Sequence, residues 1–181
     1  RRDLNPVPPE GYDYDLMNTE TLLNRAWVER GRLRLPDGMN YRVLVLQEQS
    51  HITLGLLRKL RNMVEQGLII VGARPQQTVG LQSYSVIEEK EFEEFCDELW
   101  GKAATTVVDR SVGKGRIFWE TSLNLEQVLE KIQLRPDFEV STDSISAPIR
   151  YIHRQIGEAD VYFVANQQRT SKELICNFRV K

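Results

Sequence analysis

Between Tyr41 and Pro75 the chain spells out one complete β-α-β unit with each boundary marked. Tyr41, Val43, Leu44, Val45 and Leu46 make a short, nearly continuous apolar run, the pattern expected of a strand buried on both faces. Leu56, Leu57, Leu60, Met63 and Val64 then recur at helical spacing, and Gly67 stands where a helix C-cap belongs. A second apolar run, Leu68 to Val71, follows at once and closes at Gly72. Two such strands joined by one helix run parallel, with a right-handed crossover. The pattern therefore predicts an α/β domain with a three-layer, doubly wound, mostly parallel sheet.

The flanking elements are read in the same way. Pro6, Pro8 and Pro9 give the first eleven residues an extended entry. Asn18 or Thr19 caps a predicted helix with Leu22, Leu23, Ala26 and Trp27 as its stripe and Gly31 at its end. Arg32 to Leu35 reads as a short strand before the turn Pro36-Asp37-Gly38. Ala73 to Tyr84 reads as a loop, and Glu88 to Trp100 as a helix with Phe92, Phe95, Cys96 and Leu99 inward. Thr105–Val108 and Gly115–Trp119 are strands around the turn 111–115, and a last helix spans about Leu123 to Gln133 until Pro136 stops it. The remainder predicts three antiparallel strands, Ile149–Ile156, Asp160–Ala165 and Glu173–Val180, as a meander. The expected division is an α/β domain over 1–147 and an antiparallel β segment over 148–181. That segment either begins a β-sandwich module or extends the sheet.

At 181 residues with a formal charge of −2, the chain lacks the electrostatic footprint of a nucleic-acid or anionic-membrane binder. No apolar run approaches the roughly 20 residues of a membrane-spanning helix. Cys96 and Cys176 fall in a helix and a strand, as buried free thiols do. The chain opens on Arg1 and closes directly behind a strand-like run, so the expectation is a piece of a longer polypeptide.

The motifs that carry chemistry are thin. Neither a dinucleotide fingerprint nor a P-loop is present, and Gly113-Lys114-Gly115 leads into a strand, which reads as a hairpin turn. Neither cysteine has a glycine within two positions, so a nucleophile elbow is missing, and His/Cys metal spacing is absent. No catalytic residue, metal ligand or cofactor is therefore assigned. His153 alternates with Tyr151 and reads as a packing or surface residue. His51, just past the first parallel strand, stands where open α/β sheets place ligands, and the competing reading is a solvated helix start. Tyr12-Asp13-Tyr14-Asp15 alternates aromatic and acidic side chains before Asn18. Extended backbone there puts rings on one side and carboxylates on the other, a combination suited to sugar recognition, or else a helix-capping segment.

Gly11 to Asp15, Asn18 to Leu23, Leu35-Pro36-Asp37-Gly38-Met39, Tyr41 to Leu46, Gly113 to Arg116 and Ile149 to His153 resemble, in order and spacing, the bacterial α-L-rhamnosidase-type glycoside hydrolases of family 106. The resemblance covers Gly11 to about Val180. It implies an accessory domain resembling the class I glutamine amidotransferase fold, following a catalytic (β/α)8 barrel and leading into β-sandwich modules. Those domains of the same polypeptide would be its partners, an oligo- or polysaccharide the substrate of the whole, and an exported protein its setting. The family's acid and base would lie outside this sequence, so Tyr12, Asp13, Asp15, Asn18 and His51 stand only as candidate substrate-binding residues. The alternative class is a free-standing flavodoxin-like binding module using the strand ends near Glu48 to His51 and Arg74.

Overall fold

The computed structural model describes residues 4–47, 50–79, 86–102, 107–120, 124–141 and 149–180. Two compact units emerge, one formed by Leu16–Asn124 with Asp3–Pro6, the other by Val7–Asp15 with Leu125–Lys181.

In the larger unit the chain opens with α1 (Thr19–Asn24), capped by Asn18, whose side-chain oxygen accepts the Thr21 N–H at 2.8 Å. The helix stops earlier than its apolar spacing suggests. Arg30 and Gly31 both adopt positive φ, 52° and 72°, which builds a tight hairpin turn between β1 (Trp27–Glu29) and β2 (Arg32–Arg34). Trp27 accordingly leaves the helix stripe and stands exposed in β1, while Leu33 supplies the buried side chain of β2. The Pro36-Asp37-Gly38 turn returns the chain to β3 (Asn40–Tyr41), antiparallel to β2.

The apolar run from Tyr41 to Leu46 is divided. Tyr41 pairs with β2, whereas β4 (Val43–Val45) pairs in parallel with a different strand, β6 (Ile69–Val71), in the register Val43↔Ile69 and Val45↔Val71. Between them lie β5 (His51–Ile52) and α2 (Leu54–Glu65), capped by Thr53. After β6 come β7 (Gln77–Thr78), which pairs in parallel with β5, then α3 (Val86–Trp100) and the hairpin of β8 (Val107–Val112) and β9 (Gly115–Glu120). The expected first residues of two elements, Thr105 and Leu123, fall outside the described residues.

The main sheet has the order β4-β6-β9-β8, with three parallel strands and β8 antiparallel at one edge. This corrects the expected fold class. A flavodoxin-like or amidotransferase-like three-layer sheet needs helices on both faces, but α2 and α3 lie side by side. Arg58 grips Glu91 at 2.6–2.7 Å and Arg61 grips Glu98 at 2.7 Å across their shared groove. Among the described residues the sheet is also only four strands wide, and the other sheets of two or three strands are separate from it. As an edge strand, β4 is only half-buried, whereas Ile70 and Val71 of the inner strand β6 are fully buried. The core forms where Leu57, Leu60, Met63 and Val64 of α2 meet Ile70, Ile117, Leu99 and Trp100. Each such side chain contributes on the order of 2 kcal/mol through burial. The Trp100 indole N–H donates to the Gly72 carbonyl at 2.8 Å, so the largest core side chain leaves no polar atom unmatched.

The smaller unit contains α4 (Leu125–Lys131), β10 (Phe138–Ser141), β11 (Ile149–Ile156), β12 (Ala159–Asn166) and β13 (Ile175–Phe178). Its last three strands do not form a meander. β11 and β12 make a hairpin turning at Gly157, but β13 pairs antiparallel with β10, Phe138 opposite Phe178. The aromatic rings explain the choice: Phe138 lies 4.9 Å from Tyr151 and 5.3 Å from Phe178, and Tyr162 lies 4.9 Å from Phe178. One face of the hairpin thereby gathers its rings against the β10–β13 pair.

Candidate functional site

The candidate strap begins at Gly11, whose φ of +82° is a backbone state open to glycine at little cost. A Cβ there would stand 2.6 Å from the Phe138 carbonyl oxygen and 2.9 Å from Pro136 Cβ. That close approach lets the Gly11 carbonyl accept the Asp137 N–H at 2.7 Å. Tyr12 follows, half-buried, and its hydroxyl donates to the Leu134 carbonyl at 2.8 Å. Burial, then the charge of Glu126, raises its pKa, so the phenol stays a neutral donor. Tyr14 is half-buried too, whereas Asp13 and Asp15 are exposed. Asp13 Oδ1 accepts the Tyr14 N–H at 3.0 Å, and its Oδ2 lies 3.9 Å from Arg154 Nη1.

Asn18 and His51 belong to the larger unit, where each has a local role. The Asn18 side chain is the α1 cap already described. His51 is exposed at β5, with Nδ1 2.6 Å from Ser50 Oγ and Nε2 3.0 Å from Gln77 Oε1 on β7. If Gln77 offers its oxygen, His51 donates from Nε2 and accepts the serine hydroxyl at Nδ1. The chain Ser50–His51–Gln77 has the connectivity of a nucleophile–base pair, but its third member is a neutral amide that cannot balance an imidazolium. Glu48 lies outside the described residues. Arg74 is mostly buried and donates to Glu93 at 2.5 Å, to Asp97 at 2.8 Å and to the Gly101 carbonyl at 2.7 Å. It fastens the C-terminal half of α3.

Sequence reasoning missed the most condensed polar cluster, which sits in the smaller unit. His153 Nε2 lies 2.9 Å from Asp160 Oδ1, its Nδ1 lies 3.7 Å from Asp137 Oδ1, and its ring stacks on Tyr162 at 4.2 Å. Arg179 donates to the same Asp137 carboxylate and, at 2.7 Å, to the Arg135 carbonyl. Both carboxylate partners of the histidine lie away from β11, Asp160 on β12 and Asp137 on the approach to β10, and Arg179 reaches Asp137 from beyond β13, so their separation in sequence concealed them. The two carboxylates face cationic or hydrogen-bonding groups of the protein and not open solvent. The cluster ties β11, β12 and the approach to β10 together.

Both cysteines are free. Cys96 is buried in α3, and burial pushes its thiol up to about 12 against the opposing charge of Arg74. Native protein held at pH 8 with iodoacetamide should therefore leave Cys96 unmodified and label it fully once unfolded in urea. Labelling at the unfolded rate in the native state would show that α3 does not bury it. Among the described residues no group of three or more His, Cys, Asp or Glu could hold a metal ion, and no helix is long and apolar enough to cross a membrane.

The family model described as alpha-L-rhamnosidase, glycoside hydrolase family 106, matches residues 2–181. The chain belongs to this family. It is 32% identical over 170 residues to a protein of Formosa agariphila entitled "Putative beta-glucuronidase". That match takes in 94% of this chain and 13% of the relative. A rhamnosidase structure from Novosphingobium sp. PP1Y superposes with a TM-score of 0.84 at 30% identity, over 96% of this chain and 16% of the other. The chain thus spans less than a fifth of the length of either. The architecture described above, with its small mixed and antiparallel sheets, is shared with a segment of that rhamnosidase, which again sets aside the flavodoxin-like expectation.

Proposed function

We propose that this chain is a non-catalytic accessory domain of a glycoside hydrolase acting on α-L-rhamnosyl linkages. In this reading it braces the catalytic barrel and lends the Tyr12–Asp15 strap to the wall of the substrate cleft. The observation that carries the reading is the division of labour in the strap, alongside membership of the rhamnosidase family. Its tyrosines are half-buried, one of them hydrogen-bonded to the backbone, while Asp13 and Asp15 are held outward. Carboxylates on a pinned, extended backbone can accept hydrogen bonds from sugar hydroxyls without reordering the chain. The acid and base of the two-carboxylate mechanism would lie elsewhere in the polypeptide. A polymeric plant or bacterial substrate also argues for an exported enzyme.

Two measurements test the reading. The 181-residue chain alone should show no turnover of an aryl α-L-rhamnoside or of glutamine. Turnover that a point mutation in this chain abolishes would overturn the non-catalytic assignment. Asp13→Ala with Asp15→Ala should leave the melting midpoint of the chain within about 2 °C, since exposed positions cost within ±0.5 kcal/mol. In the full-length enzyme the same pair should lower kcat/KM by roughly tenfold, the effect of one lost hydrogen bond to a charged group. Unchanged kinetics with an unfolded chain would make the strap a structural cap.

A further inference from the structure

The hairpin of β11 and β12 has two unlike faces. The face carrying Tyr151, His153 and Tyr162 is covered by Phe138 and Phe178. The register places Ile152 opposite Phe163, Arg154 opposite Val161, Ile156 opposite Ala159 and Arg150 opposite Ala165 on the other face. This second face is where an antiparallel ribbon with one covered side ordinarily carries polar residues. Instead Ile152 is 48% exposed, Ile156 67%, Val161 46% and Phe163 66%. Contiguous aliphatic and aromatic surface of this kind marks an interaction site.

We propose that this outer face is a docking surface for a further domain of the same polypeptide, through an apolar patch on that domain with an acidic rim. The proposal rests on the accessory-domain reading. Two observations select the occupant. The charged residues paired on the face are Arg150 and Arg154, both basic, and Arg154 already has a carboxylate of its own unit nearby, Asp13 Oδ2 at 3.9 Å from its Nη1. A second copy docked by the same patch would set Arg150 against a face whose own paired charges are again arginines, with Asp13 already taken up beside Arg154, because a two-fold contact repeats one surface on both sides. An acidic rim on a different surface would pair with Arg150. The chain also spans only 13% of one relative and 16% of the other, so family members carry ample sequence from which such a domain could come. Two arginines in a chain of net charge −2 are too few to hold an anionic membrane surface by electrostatics.

The test uses the full-length polypeptide with Phe163 replaced by photoreactive p-benzoylphenylalanine. Irradiation followed by peptide mapping should place most of the adduct on one peptide of the same polypeptide outside residues 1–181, rich in apolar residues with Asp or Glu beside them. Adducts to a second copy, to added anionic vesicles, or to solvent alone would each overturn the proposal. Ile152→Thr with Phe163→Thr, which makes the face polar while keeping β-propensity at this directly opposed pair, supplies a second readout. It should lower the melting midpoint of the full-length protein by several degrees and leave that of the 181-residue chain unchanged. An equal fall in both would mean that the face stabilises only its own unit. A solvent-quenched probe alongside impaired turnover in Asp13→Ala/Asp15→Ala would sink the docking face and spare the cleft wall. An intrachain adduct with normal turnover in that pair would do the reverse.

Discussion

Gly115→Ala should be among the most damaging single-methyl changes available in this chain, costing about 3 kcal/mol and lowering the melting midpoint by roughly 6 to 12 °C. Gly115 opens β9 directly beneath the C-terminal end of α2. A Cβ there would overlap the carbonyl oxygens of both Leu68 and Val64 and stand 3.0 Å from the Val64 carbonyl carbon. These obstacles are backbone, so no side chain can swing aside, and α2 must separate from the sheet. Two other glycines isolate the cause. Gly38→Ala meets nothing within 4 Å but must hold a φ of +87°, which should cost about 1 to 2 kcal/mol. Gly55→Ala, in the first turn of α2 with open space around it, should be neutral or stabilising by up to about 1 kcal/mol. Thermal melts of the three variants should rank them in that order. A Gly115→Ala protein as stable as Gly55→Ala would mean that the hairpin does not pack under the helix.

Leu60→Ala should cost about 2 to 5 kcal/mol. Leu60 is fully buried on α2, between the sheet and the side of α3, and truncation leaves a cavity that close-packed neighbours fill only in part. Ile87→Ala on α3 is the control, since Ile87 is 79% exposed and should change stability by less than about 0.5 kcal/mol. Urea titrations of both variants give the comparison directly. A loss at Leu60 below about half a kilocalorie would place it on the surface and undo the packing described for α2.

Local physics made several elements readable without coordinates. The i, i+3, i+4 spacing of Leu56, Leu57, Leu60, Met63 and Val64 has one helical solution, and α2 occupies it. Gly113-Lys114-Gly115 between two strand-like runs yields the β8–β9 hairpin, because turn chemistry is set by adjacent residues. The same holds for the Asn18 cap. Family membership was legible for a related reason: short motifs in a set order survive as text, and the match over residues 2–181 bears the resemblance out.

Pairing is where local information ended. Tyr41 and Val43 are two residues apart, yet β3 follows β2 while β4 joins β6, a decision made by strands whose partners lie elsewhere in the chain. A β-α-β unit specifies a parallel crossover but not what covers the opposite face. The salt bridges of Arg58 and Arg61 to α3 put both helices in one layer, where the pattern alone implied two. The strand ending at Phe178 had the same alternation whether it paired with β12 or β10, and contact of its ring with Phe138 and Tyr162 selected β10. The Asp137–His153–Asp160 cluster was invisible for that reason, since its members meet only once those strands are placed. Sequence by itself determined the α2 and α3 helices, the turns and the family, all of which follow from near neighbours or ordered motifs. The layer count, the strand partners and the exposed apolar face of the β11–β12 hairpin were decided by tertiary structure, because each depends on which distant surface arrives to bury a given side.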